Sequence, residues 1–292
     1  MANAITLFKK YISLLDEVYK NAATTSVLDS DAALAQQGAN ANEIIIPKLS
    51  MDGLADYSRN GGYVGGSVTL TNETVTFNYD RGRKFSVDAM DNEETAGLAF
   101  GKLASEFIRT KVAPEMDAFR FATYAGLTGI SKVSAGATLS DGAGVISALR
   151  AATTKMDEDE VPMEGRLLFI TPTLKGLVED MDTTKSREVM GRFAQLVLVP
   201  QTRFYTAIDL QDGTTSGEEA GGYIKNATSG KDINFMVIHK PALLQYTKHT
   251  VNKIITPEQN QTSDGWMFFY RAYGLADAYD NKLAGIYLHH KA

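Results

Sequence analysis

Apolar positions recur with a helical period at the start of the chain. At about 100° per residue, Ile5, Phe8, Ile12, Leu15 and Tyr19 fall on one stripe. Leu7, Tyr11, Leu14 and Val18 widen it, and Lys9, Lys10, Ser13 and Glu17 take the other side. The pattern predicts an amphipathic helix over residues 5–20, docked on its own domain or on a neighbouring subunit. Residues 21–42, rich in Ala, Ser, Thr, Gln and Asn, read as an extended connector. Ile44, Ile45 and Ile46 predict a short strand ended by Pro47. Two alternating runs follow, Val68 and Leu70, then Val75, Phe77 and Tyr79, with Thr71-Asn72-Glu73-Thr74 as the turn of a hairpin. This hairpin is dominated by Thr, Asn and Gly. A lone hairpin is marginal in water, so it must lie on the body or reach onto another chain.

From Asp91 the period is helical again. Ala96, Phe100, Leu103 and Phe107 share a stripe, Asp91 or Asn92 caps the start, and Glu93 and Glu94 suit the first turn. Pro114 should kink or restart this helix, which Met116, Phe119 and Thr123 continue. Val145, Leu149, Ala152 and Met156 predict a helix opening near Asp141 and running into the acidic residues 157–160. Residues 167–170, 196–199 and 233–238 read as buried strands, and Thr171-Pro172 opens a helix to about Met181. Residues 209–230 read as a Gly, Thr and Ser loop. Strands return over 251–255, 266–275 and 285–289, and residues 266–273 are apolar on both faces, as in a strand covered on both sides. The fold class is α+β with a mixed α/β centre.

Composition narrows the function. The 292 residues suffice for one large domain or two medium ones, and 44% hydrophobic against 22% charged residues permits a real core. A net charge of −6 argues against tight nucleic-acid binding as the main task. The absence of cysteine removes disulfides, thiolate metal sites and cysteine nucleophiles. No signal-peptide pattern opens the chain, and no run reaches the ~18 apolar residues of a membrane span. A soluble protein made in a reducing cytoplasm is expected.

Candidate chemistry is sparse. Asp88, Asp91, Glu93 and Glu94 form a carboxylate cluster without a calcium-loop spacing, and helix capping accounts for most of it. Arg81-Gly82-Arg83-Lys84 is the densest basic run; it sits four residues before Asp88, which favours ion pairing over phosphate contact. Gly61 to Gly66 lacks the spacing of a phosphate loop and reads as a loop tip. His239, His249, His289 and His290 form no metal-type pattern, and no nucleophile elbow or kinase motif is present. No catalytic, cofactor or metal site is assigned.

The parts and their order resemble the Hong Kong 97-type fold of tailed-bacteriophage major capsid proteins. The segments RGRKFSVDAMDNEET (81–95), FIRTKVAPEMDAFRF (107–121), RLLFITPTLKGLVED (166–180) and NFMVIHKPALLQYTK (234–248) carry the resemblance over nearly the whole chain. It implies an N-terminal arm over 1–42 and an extended β-hairpin loop over 43–86. A peripheral domain with a long spine helix would take 87–130 and 246–292, and an axial domain 131–245. Such a chain would be no enzyme. It would self-assemble into the pentamers and hexamers of an icosahedral head, in the host cytoplasm, enclosing double-stranded DNA that it contacts weakly.

The implied partners are other copies of the chain, a separate scaffolding protein (helix and arm begin at Met1), a portal and a decoration protein. No cofactor or membrane is implied. Candidate inter-subunit contacts are Phe8, Ile12, Leu15 and Tyr19 on the arm, Arg59 and Tyr63 on the loop, and Arg81, Arg83, Lys84, Asp88, Asp91 and Glu93 at its return. Some members cross-link lysine to asparagine; residues 52–79 hold no lysine, so no such bond is expected. The alternatives are an encapsulin-type shell around an enzyme cargo, a mixed α/β small-molecule enzyme, and a surface adhesion or tail protein.

Overall fold

The computed structural model describes residues 23–30, 36–37, 43–94, 102–133, 135–181 and 183–292. The expected helix over 5–20, with Phe8, Ile12, Leu15 and Tyr19, lies outside them, as does the Ala96–Phe100 part of the second stripe. The first strands are β1 (Gln36–Gln37), β2 (Glu43–Met51), β3 (Val68–Thr76) and β4 (Tyr79–Asp88). Helices α1 (Ala89–Glu94), α2 (Leu103–Phe107) and α3 (Ala113–Gly126) follow, then β5 (Ser131–Lys132) and α4 (Gly142–Glu158). Next come β6 (Arg166–Ile170), α5 (Pro172–Glu179), α6 (Thr184–Met190), β7 (Gln195–Leu198), β8 (Ile208–Gln211) and β9 (Gly222–Lys225). The chain closes with β10 (Ile233–His239), β11 (Leu243–Ile255), β12 (Gly265–Ala278) and β13 (Ile286–His290).

A five-stranded sheet of order β5-β13-β10-β6-β7 forms the α/β body. The apolar runs of β6 and β10 are continuous because both of their faces are covered. Leu168, Ile170, Phe235 and Val237 meet Val145, Leu149 and Met156 of α4 and Leu174 and Val178 of α5. The alternate residues Leu167, Phe169, Met236 and Ile238 meet Phe121 and Tyr124 of α3 and Leu28. As predicted, Asp141 caps α4, its carboxylate accepting from the Gly144 N–H, and Pro172 opens α5. Gly142 lets α4 approach α5 closely: a Cβ there would stand 2.3 Å from the Leu177 carbonyl oxygen. β7 is not the buried strand its apolar residues suggest; it is an edge strand paired only with β6, and Leu198 is exposed.

The second sheet has order β11-β12-β4. Phe268, Tyr270 and Ala272 of β12, with Tyr79 and Phe85 of β4, pack against Phe107, Ile108, Val112 and Met116. Those four belong to the long helical stretch that the sequence predicts around Pro114. Its irregularity falls just ahead of the proline: Ile108–Val112 is a π-helical turn between α2 and α3. Proline lacks the N–H and its ring collides with the carbonyl four residues back; a wider turn accommodates both without ending the helix. α1 begins earlier than expected, with Asp88 rather than Asp91 or Asn92 at its start, accepting from the Met90 N–H at 2.9 Å.

Four further expectations are corrected. The proposed turn at 71–74 is the middle of β3, and β2 runs through Pro47, which sits opposite Asn72. β1 flanks β2 only at Ile44 and Ile45, so Pro47 lies on an otherwise open edge, where a missing N–H costs no ladder bond. The 209–230 loop contains the β8–β9 hairpin, whose four-residue strands are too short to show an alternation among so many glycines and threonines. The tail divides: β11 and β12 join the second sheet, while β13 inserts between β5 and β10 of the body sheet.

Candidate assembly surface

The β2–β3 ribbon has two unlike faces, because residues directly opposite on paired strands share a side. One face carries Ile44, Ile46 and Lys48 with Val75 and Glu73. At its root Ile44 and Val75 are buried against Leu244, Tyr246 and Leu275, with Ile46, Phe77 and Tyr279 around them. The other face brings Leu49 opposite Leu70 and Met51 opposite Val68, and all four are exposed. Asp52 closes the end of the ribbon: its N–H donates to the Ser67 carbonyl at 3.1 Å, and its carboxylate accepts from the Ser67 N–H at 2.7 Å. Beyond lies a loop bent at Ser58–Gly62, where Gly62 takes φ +76, a left-handed conformation that favours glycine. Tyr57 and Tyr63 meet edge to face at 4.9 Å on this tip, and Tyr63 is 90% exposed. Among the described residues, eight of the thirteen exposed large apolar side chains lie between Leu49 and Leu70. An apolar ribbon held out in water is the feature expected of a contact surface.

A second construction anchors the chain that leads towards the N-terminus. The connector was expected to be loosely structured, yet Thr24–Leu28 forms a 3-10 turn with Thr25 and Leu28 buried. Asp117 of α3, fully buried, holds it. Its carboxylate accepts from the Thr24 N–H and Oγ1 at 2.9 and 3.0 Å and from the Thr25 N–H and Oγ1 at 3.0 and 2.7 Å. It also pairs with Arg203 Nη1 at 2.9 Å. Arg120 donates to Thr25 Oγ1, and Gln245 Nε2 donates to the Thr25 carbonyl and Asp29, while the Tyr124 hydroxyl donates to Gln245. Burial pushes the Tyr124 phenol far above its ordinary range, so it stays a donor. The segment 23–30, the long helix, β11 and the loop after β7 are thereby joined at one point. Sequence reasoning missed it: a lone Asp and Arg 86 residues apart carry no local signal.

Among the described residues, no group of three His, Asp or Glu side chains is arranged to hold a metal ion. An open groove of about 440 Å³ on the outer face of the second sheet is lined by Asp80, Lys84, Lys253, Phe269 and Arg271. Its one carboxylate, Asp80, is taken up by Arg271, whose Nε and Nη2 donate to its two oxygens at 2.8 and 2.6 Å. His289 is buried, stacked on Phe235 at 4.9 Å, with Asn234 Nδ2 3.0 Å from its Nδ1. Burial, with His290 beside it, lowers its pKa to about 4.

No family model matches the sequence, and no curated protein matches it. Solved structures do match, over almost the whole chain. A structure of Mycobacterium phage Che8 superposes with a TM-score of 0.65 at 13% identity, covering 97% of this chain and 98% of that one. The mature capsid of bacteriophage PhiM1 gives 0.66 at 12% identity, over 98% and 92%. The capsid of Staphylococcus phage Andhra gives 0.60 at 12%, over 98% and 88%. The chain has the phage-capsid fold. At such identities the likeness is one of backbone and topology, and it agrees with the Hong Kong 97-type architecture expected from the order of segments.

Within this capsid fold the sequence-nominated residues divide. Arg59 and Tyr63 are exposed on the hairpin loop, and Lys84, Asp88 and Glu93 are exposed at its return, with Asp91 half-buried beside them. Arg81 instead turns inward: its Nε pairs with Glu115 of α3 at 2.8 Å and its Nη2 donates to the Gly222 carbonyl. Arg83 donates to the Glu219 carbonyl at 2.9 Å. Both arginines thus tie β4 to the β8–β9 hairpin. Pairing of the basic run with Asp88 is not what forms, since four residues along a strand span about 13 Å. Tyr79 donates its hydroxyl to Glu115; burial, then the carboxylate, hold that phenol far above its usual range. The face made by Leu49, Met51, Val68 and Leu70 was not nominated. Its signal was present as two alternating apolar pairs, Leu49 with Met51 and Val68 with Leu70, separated by residues 52–67.

Proposed function

We propose that the chain is the major capsid protein of a tailed phage, a structural subunit that assembles into pentamers and hexamers of an icosahedral head around double-stranded DNA. The observation that carries this reading is the β2–β3 ribbon: a chain with a well-filled core concentrates its exposed apolar side chains on one protruding element. In the phage-capsid fold such an element gains its burial from neighbouring subunits. Residues 1–42 act as the arm and the ribbon as the extended loop. The β11-β12-β4 sheet with the long helix acts as the peripheral part, and the five-stranded sheet with its helices as the axial part. Arg59, Tyr63, Lys84, Asp88, Asp91 and Glu93 contact neighbouring subunits, as do Phe8, Ile12, Leu15 and Tyr19 of the arm. Scaffolding, portal and decoration proteins are the partners such a shell requires; the subunit is a virion component and not an enzyme. The net charge of −6 keeps its contact with packaged DNA weak.

The test is negative-stain electron microscopy of the purified chain, expressed alone and with the scaffolding partner. Closed shells, or rings of five and six, support the reading. Uniform single subunits under every condition overturn it, and shells filled with an enzyme cargo replace the phage head by a nanocompartment.

A further inference from the structure

Of the asparagines in the sequence, only Asn60 is followed by glycine, and it stands at the apex of the bend on the ribbon tip. Two backbone hydrogen bonds pin that bend: the Ser58 N–H donates to the Gly62 carbonyl at 3.2 Å, and the Gly62 N–H to the Ser58 carbonyl at 2.8 Å. Within it the Gly61 N–H donates to Ser58 Oγ at 3.0 Å. Asn60 and Gly61 are both exposed, and among the described residues nothing hydrogen-bonds the Asn60 carboxamide. The Asp-Gly pairs at 52, 141 and 212 differ, because their carboxylates are occupied by the N–H groups of Ser67, of Gly144, and of Thr214 and Thr215. The bend itself does not call for glycine at 61. Unlike Gly62, Gly61 has no left-handed φ, and a Cβ there would meet nothing nearer than Ser58 Oγ at 3.4 Å, an ordinary contact. The missing Cβ leaves an unobstructed backbone nitrogen beside the Asn60 carboxamide.

We infer that Asn60 is a self-modifying site, at which the Gly61 nitrogen converts the hairpin tip to aspartyl and isoaspartyl forms while the subunit is unassembled. The nitrogen attacks Asn60 Cγ. The new N–Cγ bond closes a succinimide ring, the Cγ–Nδ2 bond breaks, and the proton lost by Gly61 leaves with the amide nitrogen as ammonia. Ser58 Oγ already accepts that proton and stands where it can relay it. Water then opens the ring at either carbonyl. One opening leaves aspartate at position 60; the other leaves an isoaspartyl link, whose main chain is longer by a methylene. Water is the only co-reactant. Both products place a new carboxylate beside Arg59. The isoaspartyl form also lengthens the bend that the two Ser58–Gly62 hydrogen bonds close and across which Tyr57 and Tyr63 meet. The consequence for assembly rests on the capsid reading: the tip ages on the free subunit and is protected once a neighbour covers it, so the hairpin sets a time limit on assembly.

The test follows the unassembled full-length chain in mildly alkaline buffer by peptide mass spectrometry, with fragmentation that separates aspartyl from isoaspartyl products. The expected result is replacement of the Asn60 amide by acid, both products present, ahead of every other asparagine in the chain. Gly61→Ala should slow it roughly tenfold, which is about 1.4 kcal/mol of added barrier. Because alanine fits at 61, the urea midpoint of that variant should match the parent, which separates a chemical effect from a folding one. Aged parent should then lose shell yield by sedimentation, and aged Gly61→Ala should keep it. An Asn60 amide that lasts as long as the other asparagines, or a Gly61→Ala variant that reacts as fast as the parent, would overturn the site. Aged, modified chain that assembles like fresh chain would overturn the time limit. Shells in the microscope with Asn60 intact after ageing sink this inference alone. Modification at Asn60 in a chain that never forms shells sinks the capsid reading alone.

Discussion

Replacing Asp117 by alanine should be among the most damaging single changes in this chain. The carboxylate is fully buried, its partner Arg203 is only 2% exposed, and four of its other contacts are donors from Thr24 and Thr25. Alanine leaves a guanidinium without its counter-ion and strands the threonine donors. Breaking a buried ion pair from one side costs about 3–5 kcal/mol. For 292 residues the unfolding entropy is about 0.6 kcal/mol/K, so a loss of about 4 kcal/mol lowers Tm by roughly 6 °C. The double variant Asp117→Ala with Arg203→Met removes the orphaned charge and should recover about 1–3 kcal/mol of that loss. Urea titration of the unassembled subunit, with the four members of the cycle compared by midpoint at constant slope, measures both quantities. Limited proteolysis should cut the 23–30 segment faster in the single variant, because that segment is held at this carboxylate. A loss below about 1 kcal/mol, or a double variant no better than the single one, would refute the argument that Asp117 is the hub.

The exposed ribbon face should matter for assembly and not for folding. Leu70→Asp, at a site 67% exposed, should leave the urea midpoint within about 0.5 kcal/mol of the parent while shell yield by sedimentation falls at least tenfold; normal shells would show that this face is not a contact. His289 should make the subunit acid-sensitive. Its folded pKa of about 4 lies below the ordinary 6.5, so the neutral ring belongs to the folded state; stability is intact above about pH 6.5 and is lost as the pH falls towards 4. His289→Phe keeps the stacking on Phe235 and should flatten that part of the pH–stability curve, and an unchanged curve would assign the acid sensitivity elsewhere.

Much of the fold was legible because it is local or periodic. The capped α4, the Thr171-Pro172 start of α5 and the apolar runs of β6 and β10 announce themselves within a few residues. The order of these pieces pointed to the capsid architecture that the solved phage structures share. Errors arose where one signal had two causes. Leu196 to Val199 reads as a buried strand, yet burial depends on how many neighbours a strand has, and β7 has one. The break in alternation after Leu70 reads as a turn, yet it marks where β3 changes which face is apolar: solvent-side at Val68 and Leu70, body-side at Val75.

The sequence by itself determined the strongly periodic helices and strands and the presence of a hairpin too poor in apolar mass to stand alone. Only the tertiary structure decided that β13 leaves the tail to join the body sheet, that Asp117 and Arg203 meet across 86 residues, and that Lys48 of the ribbon reaches Asp280 of the body. The physical reason is the range of the interactions. Periodicity and capping are set by neighbours along the chain, whereas a buried charge is stabilised by whatever the fold brings within about 3 Å of it, and no local pattern encodes that partner.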